Sequence, residues 1–472
     1  MESVERVTYG RDRVEDFESE LGNMVKVTLD QGLNEGEGGL LNFRLPADPI
    51  RFTDLNSIYM KVALRITGKN KRELKPPPKP TLGLGTARVV RDAEDSEEEV
   101  EIPKTGAGNG GEGKKKKRAK AKARVKRSEP SPEDVDADLV FLDSGGIHSL
   151  FSSCEVKIND TSVSMSNAYP YSAALSRFLG CSEESRSGVW DTLDGSWSPV
   201  EGKSSIVGGR ISKYALPMDT VAGSRQATFV GRVFSDLLMS SRQYLPPGHS
   251  LGIELRRARS DFALCCLQEG DDHDYSIVID SMSLYFPRLH LRPSIVSQIS
   301  GLASPSLIFN RLETRMMSIP QGTRVWRWLD CLNGATLPNR IYVSFVSQRS
   351  LYGHFGQNSS YFETLNMSSL NAKLNGWDLL VEPIRTRYRK YPDGSIQSAQ
   401  NETDAREGYL SILEILGLVS DQTSPLRLSY HTYINGASIY GVELGKVGQK
   451  SGTAAGPLDL EVHHFPTPPP PT

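Results

Sequence analysis

Residues 144–177 read SGGIHSLFSSCEVKINDTSVSMSNAYPYSAALSR, and the hydrophobic period changes twice inside them. Ile147, Leu150 and Phe151 fall at i, i+3 and i+4, the spacing of one helix face. Cys154, Val156 and Ile158 then alternate with Glu155 and Lys157, as on a half-buried strand. Asn159-Asp160 follows, and both residues tolerate the left-handed backbone that a two-residue hairpin requires. Thr161, Val163 and Met165 resume the alternation, and the segment towards Arg177 returns to helical spacing. A short helix, a tight hairpin and a second helix in so few residues each need a surface to dock on. The stretch is therefore read as buried architecture.

Downstream, Cys181–Gly223 is rich in Ser and Gly with isolated Trp190 and Trp197, and is read as a long loop. Strands are expected at Thr228–Phe234, Leu251–Arg256, Phe262–Leu267 and Ser276–Leu291, with Tyr244–Gly248 as a turn. Upstream, Gly38–Pro49 and Ile58–Ile66 read as strands, and the polar residues before Thr28 as an arm. Between Gly68 and Ala137 the composition breaks. PPPKP, an acidic run around Glu94–Glu99, GAGNGGEG and KKKKRAKAKARVKR carry too little apolar surface to offset ordering, so a disordered insertion is expected there. Folding resumes at Leu139–Leu142. About eight strands with turn signals and little helix make a β-sandwich.

The series then restarts. Strands are expected at Glu313–Ile319, Thr323–Leu329, Arg340–Val346, Leu426–Tyr433 and Leu458–Val462. A hairpin is expected at Leu370–Leu380 around Asn375-Gly376, and an amphipathic helix at Glu407–Leu418. Two successive all-β units follow from this reading, and PTPPPP closes the chain in extended form.

Bulk properties narrow the class. The 472 residues carry a net charge of −2 and 38% hydrophobic residues. No apolar run is long enough to span a membrane, and the charged N-terminal stretch lacks the apolar core of a secretory signal. Cys154, Cys181, Cys265, Cys266 and Cys331 are scattered, without a C-x-x-C pair, which argues against a disulfide framework or a zinc site. H-E-x-x-H, the phosphate loop G-x-x-x-x-G-K-[ST] and G-x-S-x-G are absent, so no enzyme and no cofactor is expected.

Four stretches carry a resemblance: SGGIHSLFSSCEVKINDTSVS (144–164), FVGRVFSDLLMSSRQYLPPGHSLGIELRRARSDFALCC (229–266), YSIVIDSMSLYFPRLHLRPSIV (275–296) and GATLPNRIYVSFVSQRSLYG (334–353). In this order the chain resembles the hexon-like major capsid proteins of Polinton/Maverick elements and adintoviruses. The resemblance implies two consecutive eight-stranded jelly rolls, an all-β double jelly roll with long loop insertions and a few short helices. It implies an arm at 1–28, a first roll at 29–292 with the insertion at 68–137, a linker at 293–312, a second roll at 313–465 and a Pro-rich tail at 466–472. It further implies homotrimers that form pseudo-hexagonal capsomers of an icosahedral shell around double-stranded DNA, with penton and minor capsid proteins as partners. Localisation would be the virion, after passage from host cytoplasm to nucleus. Against this pattern, one more apolar strand is expected after Leu458–Val462, and FPTPPPPT stands there instead. Competing readings are a penton-type single jelly roll and a host-domesticated or cellular β-sandwich binding protein.

Two charge clusters are singled out. Lys114, Lys115, Lys116, Lys117, Arg118, Lys120, Lys122, Arg124, Lys126 and Arg127 form a basic loop. It suits a nuclear import receptor, non-specific contact with genomic DNA, or no partner beyond water; without interleaved aromatics it has no base-stacking platform. Arg256, Arg257, Arg259 and Asp261 are either a solvated sheet end or ion-pairing groups of an interface, across a trimer or between the rolls. Trp326 and Trp328 share one face of a strand and are read as core packing or a contact between the rolls, in preference to a carbohydrate platform.

Overall fold

The computed structural model describes residues 24–29, 37–68, 140–180, 193–196, 218–219, 224–239, 244–266, 275–290, 297, 307, 309–332, 337–364, 367–388, 403–419, 428–434, 436–444 and 457–464. Residues 1–74 and 139–472 belong to one unit and 75–138 to another, which lies outside the described residues.

Among the described residues, eight main strands make the first sandwich, extended by the short strands Phe52–Asp54, Tyr244–Leu245 and Met218–Asp219: β1 Met24–Thr28, β2 Leu40–Leu45, β3 Tyr59–Gly68, β4 Phe151–Ile158, β5 Thr161–Ser166, β6 Ser224–Arg232, β7 Leu251–Arg257 and β8 Tyr275–Leu289. One sheet runs β1-β8-β3-β6 and the other β2-β7-β4-β5, every pairing antiparallel. First therefore pairs with eighth, second with seventh, third with sixth and fourth with fifth. That is the wiring of a jelly roll. The alternation in sequence explains the layers: Leu41, Phe43 and Leu45 of β2 and Met60, Val62, Leu64 and Ile66 of β3 point into one core, with Ile253, Leu255, Leu284 and Phe286 opposite.

The opening stretch folds as its periods require. Gly146–Leu150 is a 3-10 turn, and β4 and β5 form the hairpin with Asn159 (φ 49°) and Asp160 (φ 64°) in the left-handed region. Tyr169–Gly180 is helix α1. One detail differs from the sequence reading. A bulge between Val156 and Lys157 shifts the register, so Ser164 is buried on β5 while Met165, opposite Glu155, is exposed. Met24–Thr28, expected in a polar arm, is instead the strand beside β8. Phe262–Leu267 is not one strand: Ser260–Ala263 is a helical turn, and Leu264–Cys266 pairs with Val140–Leu142.

A second sandwich follows from β9 Val325–Trp328, β10 Arg340–Ser344, β11 Met367–Leu374, β12 Ile439–Glu443 and β13 Leu458–His464. Its pairings repeat those of the first: β9-β13-β11 in one sheet and β10-β12 in the other. Arg387–Tyr388 pairs with Thr403–Asp404, in the place of the β4–β5 hairpin, and helix α2 Arg406–Leu416 follows at once, as α1 follows β5. On the free side of β11 lie the short strands Trp377–Asp378 and Ile384–Arg385. The expected hairpin is present, with Asn375 at φ 53° and Gly376 at φ 79°. Glu313–Ile319 is not a strand, and in Leu426–Tyr433 the described residues enter a helix at Tyr430–Ile434. β13 sits centrally, between β9 and β11, as β8 sits between β1 and β3; the residues after His464, where one more strand is expected, lie outside the described residues.

Candidate assembly surfaces and the junction between the rolls

The two rolls share a core. Ala168 and, from α1, Tyr171, Ala174 and Phe178 pack with Phe362, with Ala405 and Ile412 at and within α2, and with Tyr433, Ile434 and Ile439. Phe178 and Phe362 meet edge to face at 6.2 Å. Each helix packs on its own sandwich and lends apolar residues to this shared core.

A polar latch lies beside this core. Asp143 is fully buried just after the strand Val140–Leu142. Its Oδ1 accepts from the Ser359 N–H (2.8 Å), and its Oδ2 from the Gly145 N–H and the Ser360 hydroxyl (3.0 Å each). The Cys265 thiol approaches Oδ1 at 3.6 Å. Burial pushes the Asp143 carboxyl above the usual carboxylate range, and the hydrogen bonds from Gly145, Ser359 and Ser360 oppose it. The Ser144 hydroxyl donates to Asn358 (2.8 Å), and Arg177 of α1 donates to the Ser144 carbonyl (3.1 Å). The Cys266 N–H donates to the Phe355 carbonyl at 2.6 Å, and Tyr275 meets the Phe355 ring.

A second buried polar group stands inside the first roll. His148 Nδ1 lies 3.0 Å from the Tyr169 hydroxyl, and its Nε2 lies 3.8 Å from Asp194 Oδ2. Burial pushes His148 below its ordinary value, against the pull of Asp194. Burial also acts to raise Asp194, but His148, Arg177 and Ser196 together hold it below the usual range.

Of the charges singled out in sequence, Arg256 is exposed on β7. Arg257 is buried and donates to the Ile277 carbonyl at 2.9 Å. Burial lowers its pKa, with Glu37 opposing. Arg259 pairs with Asp261 two residues on. Asp261 abuts Gly353 of the second roll, where a Cβ would come within 2.9 Å of its carboxyl carbon. These residues thus make a local pair and a roll-to-roll contact. The basic loop Lys114–Arg127 lies outside the described residues. Trp326 and Trp328 pack at 6.1 Å on the inward side of β9.

On the opposite side of that sheet stands a hub that sequence reading missed. Glu461 of β13 receives Arg327 (2.9 Å), Lys373 (3.2 Å) and His463 (3.2 Å). The Arg327 bond leads in lowering its carboxyl to about 2, burial opposes, and Lys373 adds to the lowering. Alternation alone would place Glu461 outward, but no local signal names partners more than 80 residues away. Among the described residues no three His, Cys, Asp or Glu side chains gather to hold a metal ion, and no helix is long and apolar enough to cross a membrane. Cys154, Cys265, Cys266 and Cys331 are buried free thiols.

The class defined by this wiring, repeated once along the chain, is the double jelly roll. No protein-family profile and no curated protein matches the chain. Among solved structures it is similar to the Sputnik virophage (12% identity, TM-score 0.44, covering 94% of this chain and 82% of that one). It is also similar to the mavirus major capsid protein (9%, 0.38, 94% and 83%) and the Faustovirus major capsid protein (11%, 0.35, 94% and 90%).

Proposed function

We propose that this chain is a structural major capsid protein of the Polinton/adintovirus type. Three copies assemble into a pseudo-hexagonal capsomer, and capsomers tile an icosahedral shell around double-stranded DNA. The observation that carries the reading is the repetition of one jelly-roll wiring in a single chain, with the two copies locked through α1, α2 and the Asp143 latch. Two near-equivalent sandwiches per chain give a three-fold assembly six near-equivalent corners, the geometry that fills a lattice of hexagons. The buried junction inside each chain fixes the angle between corners, so the remaining surfaces serve contacts between copies.

In this reading the partners are further copies of the chain, penton and minor capsid proteins, and an import receptor that takes the Lys114–Arg127 loop. The protein then moves from cytoplasm to nucleus and ends in the virion. The native mass of the purified protein tests it. A stable species of three times the 52.1 kDa chain is expected, and a monomer with glycan affinity would sink the proposal. Deleting residues 114–127 is expected to abolish nuclear accumulation; unchanged accumulation removes the import role alone.

A further inference from the structure

Two apolar features of the second roll stand outside the cores. The first is the tip of the hairpin that follows β11. Trp377 is 80% exposed and Val381 fully so, yet the backbone that carries them is fixed. Leu374 pairs with Trp377 and Lys373 with Asp378. The Leu379 N–H donates to the Ala372 carbonyl at 2.8 Å, and the Asn375 N–H to the Pro457 carbonyl at 3.0 Å. The Asn371 amide donates to Asp378 at 2.7 Å. Leu379 and Leu380 pack on the core around Ala372, Leu374 and Leu458. A rigid knob with a tryptophan at its tip loses little freedom on burial, which is the property of an interface anchor.

The second feature is the strap that leads from the first roll into β9. Phe309 packs on the first core, and the Leu312 N–H donates to Asp236 of the first roll at 3.2 Å. Arg315 then donates to the Cys331 carbonyl at 2.7 Å, and Ile319 packs beside Phe345 and Met367 of the second roll. Between these anchors Met316 and Met317 are 49% and 57% exposed. Methionine, unbranched and polarizable, moulds itself to an aromatic ring. Charge differs between the two features. The strap 309–324 carries Arg311, Arg315 and Arg324 against Glu313, a surplus of two cations. The knob 375–382 carries Asp378 and Glu382 and no cation.

We propose that the Trp377 knob of one copy seats on the Met316–Met317 strap of the next, as a head-to-tail contact of the trimer. The occupant is a second copy because the two features match in both respects that recognition reads. An aromatic tip meets an adaptable apolar floor, and two acids meet a surplus of two cations. Knob and strap are different patches of one chain, so the contact is heterologous, the kind that closes copies into a ring. The strap is anchored on both rolls, so a knob seated there touches the next copy where its two corners join. The inference rests on the reading of the chain as a trimeric capsid protein, and adds which residues hold one copy to the next.

The test is sedimentation of the full-length protein over a dilution series, for the parent, W377E/V381E and M316E/M317E. Each variant is expected to raise the concentration at which the trimer dissociates by about thirtyfold or more, the loss of one interface anchor. The two variants are then mixed in equal amounts at a concentration where each alone runs as a monomer. One contact stays intact in the mixture, the knob of M316E/M317E on the strap of W377E/V381E. A species of two 52.1 kDa chains is therefore expected, with no larger ring. Far-UV circular dichroism matching the parent establishes that the variants fold; if a glutamate pair unfolds the chain, W377S/V381S and M316S/M317S carry the same comparison. A variant that dissociates as the parent does overturns the inference, and so does a mixture that stays monomeric. Variants that keep the parent trimer but fail to build shells also overturn it, because they assign the residues to contacts between capsomers. The two readings fail differently: a trimeric parent with trimeric variants removes only the inference, and a parent that is monomeric throughout removes the capsid reading with it.

Discussion

The backbone N–H of Ser359 donates to the carboxylate of Asp143 at 2.8 Å across 216 residues of chain. With Ser360 and Gly145 on the other oxygen, one buried acid holds the first roll to a turn of the second. The carboxylate accepts at both oxygens from main-chain N–H groups, and an amide can face only one of them with an acceptor. Asp143→Asn is therefore expected to lower stability by about 1–3 kcal/mol despite its matching shape, and Asp143→Ala by more. Urea midpoints at neutral pH measure this. An unchanged Asp143→Asn midpoint would show that the latch carries no energy.

Glu461 sets an acid limit. Its carboxyl is held at about 2 in the fold, below the ordinary value of 4.5. A depressed carboxyl contributes stability that is complete above the unfolded value and disappears as pH falls through the folded one. The parent is expected to lose stability relative to Glu461→Gln between about pH 4.5 and pH 2, and the two curves to run parallel above that window. Denaturant unfolding at a series of pH values reads the difference; parallel curves throughout would contradict it.

Gly146 and Gly376 separate backbone strain from contact. Both have positive φ, 59° and 79°. A Cβ on Gly146 would press on the Asp194 carbonyl and come within 2.6 Å of the Ser196 nitrogen, whereas one on Gly376 meets nothing within 4 Å. Gly376→Ala is expected to cost only the left-handed penalty, about 1–2 kcal/mol. Gly146→Ala adds a clash between backbones, worth about 1–3 kcal/mol more. Equal costs in thermal or urea unfolding would mean that the loop at Asp194 gives way freely.

The Asn159-Asp160 turn predicts an asymmetry. Asn159 Oδ1 accepts from the Ser250 N–H at 2.9 Å, which ties the hairpin to the loop before β7. Among the described residues Asp160 pairs with exposed Arg44, both side chains more than 60% accessible. Asp160→Gly is expected to change stability by no more than about 0.5–1 kcal/mol, since the ion pair is weak and glycine accepts the backbone. Asn159→Ala is expected to cost about 2 kcal/mol, from the lost bond and the left-handed alanine. A reversed order in unfolding experiments would refute this account.

Period and turn chemistry by themselves determined most of the first sandwich. The alternation in β3 and β4, the helical spacing before Phe151 and the left-handed pair Asn159-Asp160 are local properties, and local sterics enforce them. Short or irregular elements were not legible in this way. Met24–Thr28 is only five residues long at the end of a polar stretch, and becomes a strand because β8 offers an edge. Tyr430–Ile434 reads as a strand from composition, yet its Tyr433 is buried beside α2 as part of a helix. Propensity yields there to the shape of the core it fills.

The sites divide along the same line. That Glu461 faces outward and Asp143 ends an apolar run is written in the chain; that Asp143 gathers Ser359 and Ser360 is decided by the docking of the two rolls, and that Glu461 gathers Arg327 and Lys373 by strand pairing. Sequence determines the side of a strand on which a residue stands, because the backbone alternates at every step. Only the tertiary structure decides which residues stand together, because register across a sheet is set by closing the whole core at once.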